Sequence, residues 1–423
     1  MKFAICTLGC KVNAYESQGY IHGLKQLGYS ETAFNEDADI YIINTCTVTN
    51  TAAAKSRQHL NQARRRNPNA VICVVGCFVQ TCDKPEDLDA DILIGSNDKN
   101  RLPQIIDEAV KQRIKINDIK SMDNAQFEAI EIDNFENKTR AFIKIQDGCN
   151  QFCSYCIIPY ARGGQRSMGL DQIIHQARKL VKANHQEIVL TGIHTGRYGS
   201  DIGLTLVDVL KALIAIDGLE RIRLSSIEIN EINDELINLM QNNPKIARHL
   251  HIPIQSGCDK ILHEMHRPYT VAEFKSRVDA IRNKIPGIAI STDIILGFPG
   301  ESEADFYETK ANINDLNFAF MHIFPYSKRD GTLAARFKNQ IDKKTKKERC
   351  SEMAELSQIN NTKYRKTLVN KDLTVLFEYY QDGFNYGHSS EYMIVKKASS
   401  CDLANQMLTV KIVDVDSDAL IAQ

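Results

Sequence analysis

Short apolar runs alternate with amphipathic segments of helical length over residues 1–110. The runs are rich in β-branched residues, as is typical of strands buried on both faces of a parallel sheet. They are KFAIC (2–6), DIYIIN (39–44), AVICVVG (70–76) and ADILIG (90–95). This βαβ alternation predicts an N-terminal doubly wound α/β domain with a parallel sheet.

A second alternation begins near residue 140, and a plausible helix fills every gap but the last. Its strand-like runs are AFIKIQ (141–146), EIVLTG (187–192), RIRLSS (221–226), HLHIPI (249–254), IAISTDIILG (288–297) and FAFMHIF (318–324). Six repeats are too few for a closed eight-stranded barrel. The pattern therefore predicts a central (β/α)6 partial barrel.

The periodicity changes twice more along the chain. Residues 111–138 are polar and without a regular repeat, which indicates a linker between the two α/β domains. A charged helical stretch (342–366) is followed by four short strand-like runs, DLTVLFEYY, EYMIVKK, QMLTVKIVDVD and ALIAQ. Strands this short and close predict a small antiparallel β-barrel at the C-terminus.

Composition narrows the class of protein. The 423 residues carry a formal net charge of −1, which excludes polyanion binding by bulk charge but leaves a local basic face possible. No apolar run reaches the roughly 18 residues of a membrane span, and the start has no signal-peptide core. We therefore expect a cytoplasmic protein without membrane attachment. Twelve cysteines are too sparse for a disulfide scaffold, so metal or redox chemistry is the favoured explanation.

Three cysteines cluster directly after the first strand of the second domain. Cys149, Cys153 and Cys156 have the spacing C-x3-C-x2-C in GCNQFCSYC. Three thiolates from one loop can bind three irons of a four-iron cluster and leave the fourth iron open. Structural zinc would require a fourth ligand, and none follows nearby.

Three further cysteines are far apart in sequence but similar in position. Cys10, Cys46 and Cys77 each follow the C-terminal end of a predicted parallel strand. Because those ends lie at one edge of the sheet, the three thiols are expected to converge there. The alternative is three small core residues, since free cysteine is among the most buried residue types.

These motifs carry a family resemblance. The C-x3-C-x2-C loop opening a six-fold βα barrel resembles the radical S-adenosylmethionine superfamily. The segments TLGCKVN, NTCTV and GCFVQ resemble the N-terminal domain of the methylthiotransferases, and the likeness covers nearly the whole chain. Together with TLGCKVN, the segments HIPIQSG, TDIILGFPGE and YSKRDGT are most similar to the branch that modifies N6-threonylcarbamoyladenosine beside the tRNA anticodon (MtaB type).

The resemblance implies a division of the chain and a set of cofactors. It implies a methylthiotransferase N-terminal domain (1–115), a linker (116–137), a radical SAM domain (138–368) and a TRAM domain (369–423). Two [4Fe-4S] clusters and S-adenosyl-L-methionine are the implied cofactors. The implied catalytic metal ligands are Cys10, Cys46 and Cys77 for an auxiliary cluster, and Cys149, Cys153 and Cys156 for the radical cluster.

The resemblance also implies a reaction. One S-adenosylmethionine donates a methyl group, a second is the radical source, and carbon 2 of N6-threonylcarbamoyladenosine at position 37 becomes methylthiolated. The implied partners are the tRNA anticodon stem-loop and an electron donor such as flavodoxin or ferredoxin, and we expect a monomer. Three alternatives remain: isopentenyladenosine in tRNA, an aspartate of a ribosomal protein, and a non-catalytic iron–sulfur RNA-binding protein.

Several residues near the predicted barrel mouth are candidates for binding S-adenosylmethionine. Tyr155 lies where the family contacts the adenine, although packing within the loop explains it equally well. Glycine at the end of the second barrel strand allows close approach of the backbone to a ligand. Polar residues at strand ends offer ribose or amino-acid contacts. These further candidates are Gly192, Ser225, Glu228, Gln255 and Asp293.

Charge distribution indicates an RNA-binding face. No acidic residue occurs between Asp39 and Asp83, a stretch that carries both Cys46 and Cys77. The basic residues of this stretch are predicted to contact RNA phosphates. The alternative is that they form a solvated helix face. They are Lys55, Arg57, Arg64, Arg65 and Arg66. The last domain is acidic, so we expect it to contribute base stacking from aromatics such as Phe384, Tyr386 and Tyr392.

Overall fold

The N-terminal part of the chain forms one parallel sheet. The computed structural model describes residues 1–136 and 138–423; Asn137, which falls within the predicted linker, lies outside the described residues. The strands are β1 (Lys2–Thr7), β2 (Ser30–Glu31), β3 (Ile40–Thr45), β4 (Val71–Gly76), β5 (Ile92–Ile94) and β6 (Ile116–Asp118). They lie side by side in the order β2-β1-β3-β4-β5-β6 and are all parallel.

Helices cover both faces of this sheet, which explains the continuous apolar runs. They are α1 (Lys11–Gln26), α2 (Asn50–Arg66), α3 (Cys77–Gln80) and α4 (Leu102–Gln112). In β3, Ile40 and Ile42 pack with residues of α1 and α4, whereas Tyr41 and Ile43 pack with residues of α2. Every position of β3 is therefore buried.

The central domain is a partial barrel of six parallel strands. The six barrel strands are β7 (Arg140–Lys144), β10 (Glu187–Thr191), β11 (Arg221–Leu224), β12 (His249–His251), β13 (Ala289–Leu296) and β14 (Phe320–Pro325). Between β7 and β10, two short strands, β8 (Gln146–Asp147) and β9 (Arg166–Ser167), pair with each other in antiparallel orientation. Two three-stranded sheets, β7-β10-β11 and β12-β13-β14, are joined by parallel bridges from Ile222 to Ile246 and from Ser226 to His251.

Helices between these strands form the outer layer of the barrel. They are α5 (Ile158–Arg162), α6 (Leu170–Lys182), α7 (Leu206–Ile214), α8 (Asp234–Asn242), α9 (Asp259–Glu264), α10 (Val271–Lys284) and α11 (Glu303–Leu316). A long charged helix, α12 (Lys343–Lys366), follows and leads to the last domain. Within the described ranges, no helix has the length and apolar character needed to cross a membrane.

The C-terminal domain is a closed five-stranded barrel. Its strands are β15 (Asp372–Gln381), β16 (Phe384–Ser389), β17 (Ile394–Ala398), β18 (Met407–Val415) and β19 (Leu420–Ala422). The expectation of a wholly antiparallel barrel needs one correction, because β17 and β19 pair in parallel to close it. The other four pairs are antiparallel.

The predicted fold class is confirmed, with differences in detail. The strands β2, β6, β9 and β16 were not predicted, and α11 fills the last gap of the barrel, where no helix was expected. The strand β6 lies inside the predicted linker, where it adds an edge strand to the first sheet. Farther along the same segment, Ile132 and Phe135 are buried in the core shared by the two α/β domains. Because the linker is mostly polar and its few apolar residues show no regular spacing, the sequence does not predict these short buried contacts.

Buried arginines attach the last domain to the first strands of the partial barrel. Arg221 donates to the backbone oxygen of Thr374 (2.7 Å), and Arg223 donates to that of Ser389 (3.0 Å). Both guanidiniums also pair with Glu187, which is fully buried (3.0 and 2.7 Å). The small barrel is thereby held near the N-terminal ends of β10 and β11.

Candidate active site

The structure places Cys10, Cys46 and Cys77 together at the carboxyl edge of the first sheet. Cys10 directly precedes α1, Cys46 directly follows β3, and Cys77 is the first residue of α3. The adjacent strands β1, β3 and β4 bring the three residues to one place. Burial raises the pKa of the Cys46 thiol to about 11, and the nearby thiols of Cys77 and Cys10 contribute to the shift. Gly9 has a φ of +97°, and a β-carbon there would lie 2.8 Å from Cys46 Sγ, so only glycine fits.

The other three thiols lie in the loop between β8 and α5. Cys149 Sγ is 3.4 Å from Nδ1 of His194, and Cys153 Sγ accepts a hydrogen bond from Nη1 of Arg267 (3.4 Å). Burial raises the pKa of Cys156 to about 12. Although burial opposes protonation of His194, its contacts with Cys149 and Glu231 raise its pKa to about 10.

Arg162 connects the two groups of cysteines. It ends α5, is 1% exposed, and donates from Nε to Cys77 Sγ at 3.2 Å. Its Nη1 donates to Glu16 Oε1 (3.0 Å) and to Asp147 Oδ1 (3.1 Å), two residues before Cys149. Its Nη2 donates to Asn13 Oδ1 at 2.6 Å. A side chain of the central domain thus completes the environment of a cysteine in the first domain.

The charges around Arg162 fit an anionic group held by the first three thiols. Four buried cations face two buried carboxylates in one network, leaving two surplus positive charges; the members are Lys99, Lys144, Arg162, Arg166, Glu16 and Asp147. Buried charge is strongly destabilising unless it is compensated. Thiolates are the ligand form of cysteine and bind iron–sulfur clusters, so three of them beside this network would supply the missing negative charge.

The candidate S-adenosylmethionine residues lie in different settings. Tyr155 is half-buried and packs against an apolar cluster that includes Met265 and Phe298. Ser225 Oγ is 2.9 Å from Thr195 Oγ1, and Glu228 forms an ion pair with Arg267. A β-carbon on Gly192 would lie 3.0 Å from the Gln146 side chain. The backbone N–H of Gln255 donates to the carbonyl of Asp293 (2.9 Å), which brings these last two residues to adjacent strands.

Partly exposed polar side chains on β12, β13 and β14 lie close together and define what we call the polar cleft. His251 Nε2 lies 3.2 Å from Asp293 Oδ1, and the ring of His322 is close to both. Lys11 directly follows Cys10 and lies near enough to this cluster and to Tyr392 for their charges to interact. Burial is the main cause that lowers the pKa of His322, and the charge of Lys11 adds to it. Among the described residues Lys11 forms no ion pair within 4.0 Å, although the charges of Tyr392 and Asp293 oppose the lowering of its pKa by burial.

Four of the five basic residues predicted to bind RNA are exposed on α2. They are Lys55, Arg57, Arg65 and Arg66. Arg64 instead forms ion pairs with Asp89 (3.1 Å) and Asp91 (2.9 Å), so its charge is already compensated within the protein. Beside α2, a groove of about 1030 Å³ runs between the first and central domains, with Arg57 on one wall and Tyr160 and Arg329 on the other.

The last domain also presents aromatic side chains. Tyr379 and Tyr386 stack with their ring centroids 5.0 Å apart, and Lys396 lies 4.2 Å from the ring centroid of Phe384. Tyr392 differs from the expectation of a stacking surface. Its ring packs inside the contact between domains, 5.0 Å from His249 and beneath the guanidinium of Arg223 (4.7 Å).

Comparison with protein families matches two parts of the chain. Residues 2–94 match the uncharacterized protein family UPF0004, and residues 143–313 match the radical SAM superfamily. The threonylcarbamoyladenosine tRNA methylthiotransferase MtaB of Bacillus subtilis is 41% identical over 97% of this chain and 93% of its own length. The enzyme of the same name from Thermotoga maritima is 36% identical, covering 92% and 89% of the two chains. This chain belongs to the radical SAM methylthiotransferases.

Other comparisons agree with this family. The tRNA-2-methylthio-N(6)-dimethylallyladenosine synthase of Clostridium botulinum strain Hall is 33% identical over 99% of this chain and 96% of its own length. Among solved structures, the radical SAM methyltransferase TsrM of Kitasatospora setae has a TM-score of 0.56 at 13% identity, covering 76% of this chain and 72% of its own. That likeness concerns the fold alone. As a radical SAM methylthiotransferase, the chain uses a [4Fe-4S] cluster and S-adenosylmethionine.

Three residues of this methylthiotransferase site were missed in the sequence: Arg162, His194 and Arg267. No local signal marks any of the three: even the apolar segment IIPYA before Arg162 contains Tyr160, which is 53% exposed. His194 and Arg267 lie 38 and 111 residues after Cys156, and only the folded barrel brings them to the cysteine loop.

Proposed function

We propose that this protein methylthiolates carbon 2 of N6-threonylcarbamoyladenosine at position 37 of tRNA, using one S-adenosylmethionine as methyl donor and a second as radical source. The observation that carries the proposal is the pair of three-cysteine sites joined through Arg162. One lies at the edge of the first sheet and the other at the mouth of the partial barrel. Relatives that share both domains bear names that specify tRNA methylthiolation.

The six cysteines are the proposed cluster ligands. Cys149, Cys153 and Cys156 would hold the radical cluster, and Cys10, Cys46 and Cys77 an auxiliary one. When bound, these groups supply an electron for cleavage of S-adenosylmethionine and a sulfur for transfer. Arg267 and His194 fix the thiols of Cys153 and Cys149 through their hydrogen bonds, which orients the loop before any ligand arrives.

The barrel mouth is the proposed site for S-adenosylmethionine. Ser225 and Glu228 follow the end of β11, where parallel barrels place their ligands, and their side chains contact Thr195 and Arg267. Gln255 and Asp293 supply polar groups on the opposite side of the barrel. At Gly192 the place of a β-carbon is already filled by Gln146, whose side-chain oxygen is 3.0 Å away, so we propose the backbone of Gly192, and not an open space beside it, as the contact with the ligand. We propose that Tyr155 packs against the apolar cluster of the barrel and that one edge of its ring contacts the adenine of S-adenosylmethionine.

Exposed cations and aromatic rings support binding of an anticodon stem-loop. Lys55, Arg57, Arg65 and Arg66 would contact phosphates, whereas Arg64 is engaged with Asp89 and Asp91 and is left out of this proposal. Stacked rings on the last domain suit unpaired bases. The target base would have to leave the loop to reach the polar cleft and the proposed cysteine sites.

The polar cleft supports the threonylcarbamoyl group over an isopentenyl group. An isopentenyl group is apolar, and its burial beside the Lys11 ammonium and the Asp293 carboxylate would be unfavourable. The threonyl carboxylate would instead give Lys11 a directly paired anion, which the more distant Asp293 does not, with His322 available as a further donor. An aspartate of a ribosomal protein is also anionic, but it would leave the basic face of α2 without a role.

The reaction also requires partners outside the chain. We propose a small electron-transfer protein, such as a flavodoxin or ferredoxin, as reductant, and a cytoplasmic monomer as the working form. The decisive experiment is nucleoside mass spectrometry of tRNA from a deletion strain and from its complement. We expect 2-methylthio-N6-threonylcarbamoyladenosine to disappear on deletion and to return on complementation. An unchanged level of this nucleoside, with loss of the isopentenyl counterpart, would contradict the proposed substrate.

A further inference from the structure

Arg162 lies at the point where the supports of both cysteine sites meet. We infer that Arg162 is a positioning residue that sets the relative placement of the two clusters and tunes the auxiliary cluster through Cys77. The inference rests on the proposed function, because it assumes that both cysteine triads bind clusters. It goes beyond that function by assigning a role to a residue that binds neither substrate nor iron.

On one side, Arg162 acts through Asn13 on the loops that carry Cys10 and Cys46. The amide oxygen of Asn13 accepts from Arg162 Nη2 (2.6 Å), and its amide nitrogen donates to the backbone oxygens of Leu8 (2.7 Å) and Thr45 (2.9 Å). Those two residues come shortly before Cys10 and Cys46 in sequence. Asn13 is buried, so these hydrogen bonds are protected from water.

On the other side, Arg162 acts through Asp147 on the loop that carries Cys149. Asp147 Oδ1 accepts from Arg162 Nη1 and from the backbone N–H of Gly148 (2.9 Å). Gly148 has a φ of +72°, and a β-carbon there would lie 1.9 Å from the backbone oxygen of Gly164, so the loop has one tightly packed path. Its next residue is Cys149. One guanidinium therefore fixes the approach to ligands of both sites.

The third contact of Arg162 is with a proposed ligand itself. Nε donates to Cys77 Sγ at 3.2 Å. Hydrogen bonds to ligand sulfurs and nearby positive charge raise the reduction potential of iron–sulfur clusters. The contacts of Arg162 come from three separate nitrogens, Nε, Nη1 and Nη2, whereas the lysine side chain has a single nitrogen, so lysine could retain the charge but not this geometry.

A general role in stability is the alternative, and Arg166 allows the two roles to be separated. Arg166 is also buried and cationic, and it contacts the same carboxylate, with Nη2 3.5 Å from Asp147 Oδ2. It makes no hydrogen bond to a cysteine among the contacts of the described residues. Arg166→Gln therefore removes the same charge from the same network. It also removes a hydrogen bond to the backbone oxygen of Arg162 (2.6 Å), but it leaves the contact between the Arg162 side chain and Cys77 in place and touches no proposed ligand.

The test is a spectroscopic comparison of Arg162→Gln and Arg166→Gln. Each substitution is made in full-length protein in which Cys149, Cys153 and Cys156 are alanine, so that only the auxiliary cluster is bound. We expect normal iron content and a more negative midpoint potential for Arg162→Gln, with Arg166→Gln closer to the parent. With the radical-site cysteines restored, pulsed EPR on the two reduced clusters should show a broadened distance distribution for Arg162→Gln alone.

Two results would overturn the inference: equal potentials in all three proteins, or equal shifts in both variants. If Arg162→Gln yields no cluster-loaded protein, Arg162→Lys provides the same measurement with the charge kept. A parental potential and distance distribution in Arg162→Lys would then refute the need for the guanidinium. Any of these outcomes leaves the proposed function intact if the unaltered enzyme still makes the methylthiolated nucleoside, so the two failures are distinguishable.

Discussion

Replacing Lys11 with methionine should remove most of the preference for a carboxylate on the target adenine. The substitution keeps the length and the apolar stem of the side chain and deletes its charge. A charge-assisted hydrogen bond contributes about 1.5–3 kcal/mol. Since Lys11 remains accessible to solvent within the cleft, we take the lower half of this range, about 1.5–2 kcal/mol. That energy corresponds to a reduction of about 10- to 30-fold in kcat/KM.

The assay compares two RNA substrates with each enzyme. One anticodon stem-loop carries N6-threonylcarbamoyladenosine, and the other carries its methyl ester, which lacks the negative charge. We expect Lys11→Met to slow the first substrate by the stated factor and the second much less, and Lys11→Arg to restore part of the difference. Iron content is measured in every sample, because Lys11 adjoins Cys10.

The reasoning would be refuted by an equal loss on both substrates at normal iron content. Such a result would mean that Lys11 supports the fold of the cysteine loop and does not distinguish substrates. Equal rates for the acid and the ester with the unaltered enzyme would be a second refutation. In that case no cation in the cleft would recognise the carboxylate.

Three further predictions concern other parts of the molecule. Although burial by itself raises the pKa of Glu187, Arg223 and Arg221 hold it at about 2, below its ordinary value of 4.5. The lowered pKa contributes about 3 kcal/mol to the free energy of unfolding above pH 4.5, and this contribution is lost as the pH falls towards 2. Glu187→Gln should lower the thermal midpoint at pH 7 and flatten its decline below pH 4.5, whereas exposed Glu220→Gln should change neither. Lys55→Ala should reduce the slope of the logarithm of the tRNA-binding constant against the logarithm of the salt concentration by about 1. Lys182→Ala on α6 is the control and should leave this slope unchanged. Cys149→Ala should bind about half the iron and form no 5′-deoxyadenosine; turnover by this variant would contradict the assignment of the radical site.

Much of the fold follows from local patterns. Continuous β-branched runs predicted β1, β3 and β4 because both faces of a parallel sheet are covered by helices. The meeting of Cys10, Cys46 and Cys77 at one edge follows from that same parallel order, while their role as ligands stays a prediction. The strand β6 was missed because its three residues, IND, carry a single apolar side chain. Edge strands of this kind depend on a neighbour, and no local signal marks them.

The polar part of the site was much harder to predict. The ion network around Arg162 draws on residues from 16 to 166, and no spacing rule connects them. Tyr392 shows the opposite difficulty. An aromatic residue in a small barrel favours a stacking surface, yet its burial against His249 depends on how the barrel docks to β11 and β12. Side-chain identity predicts the kind of contact, and only tertiary structure decides the partner.

The shared ion network also has a consequence for synthesis of the chain on the ribosome. Glu16 and Lys99 belong to the first sheet domain, but their buried charges are completed by Lys144 and Arg162 from the next domain. Arg162 follows Lys99 by 63 residues, and at roughly 5–20 residues per second it is made roughly 3–13 s later. During that interval the nascent first domain exposes an incomplete core with Glu16 lacking its guanidinium partner. Its three cysteines therefore reach their final environment only after the cysteine loop of the second domain has been translated, so we expect the proposed auxiliary cluster to be bound after both domains have folded.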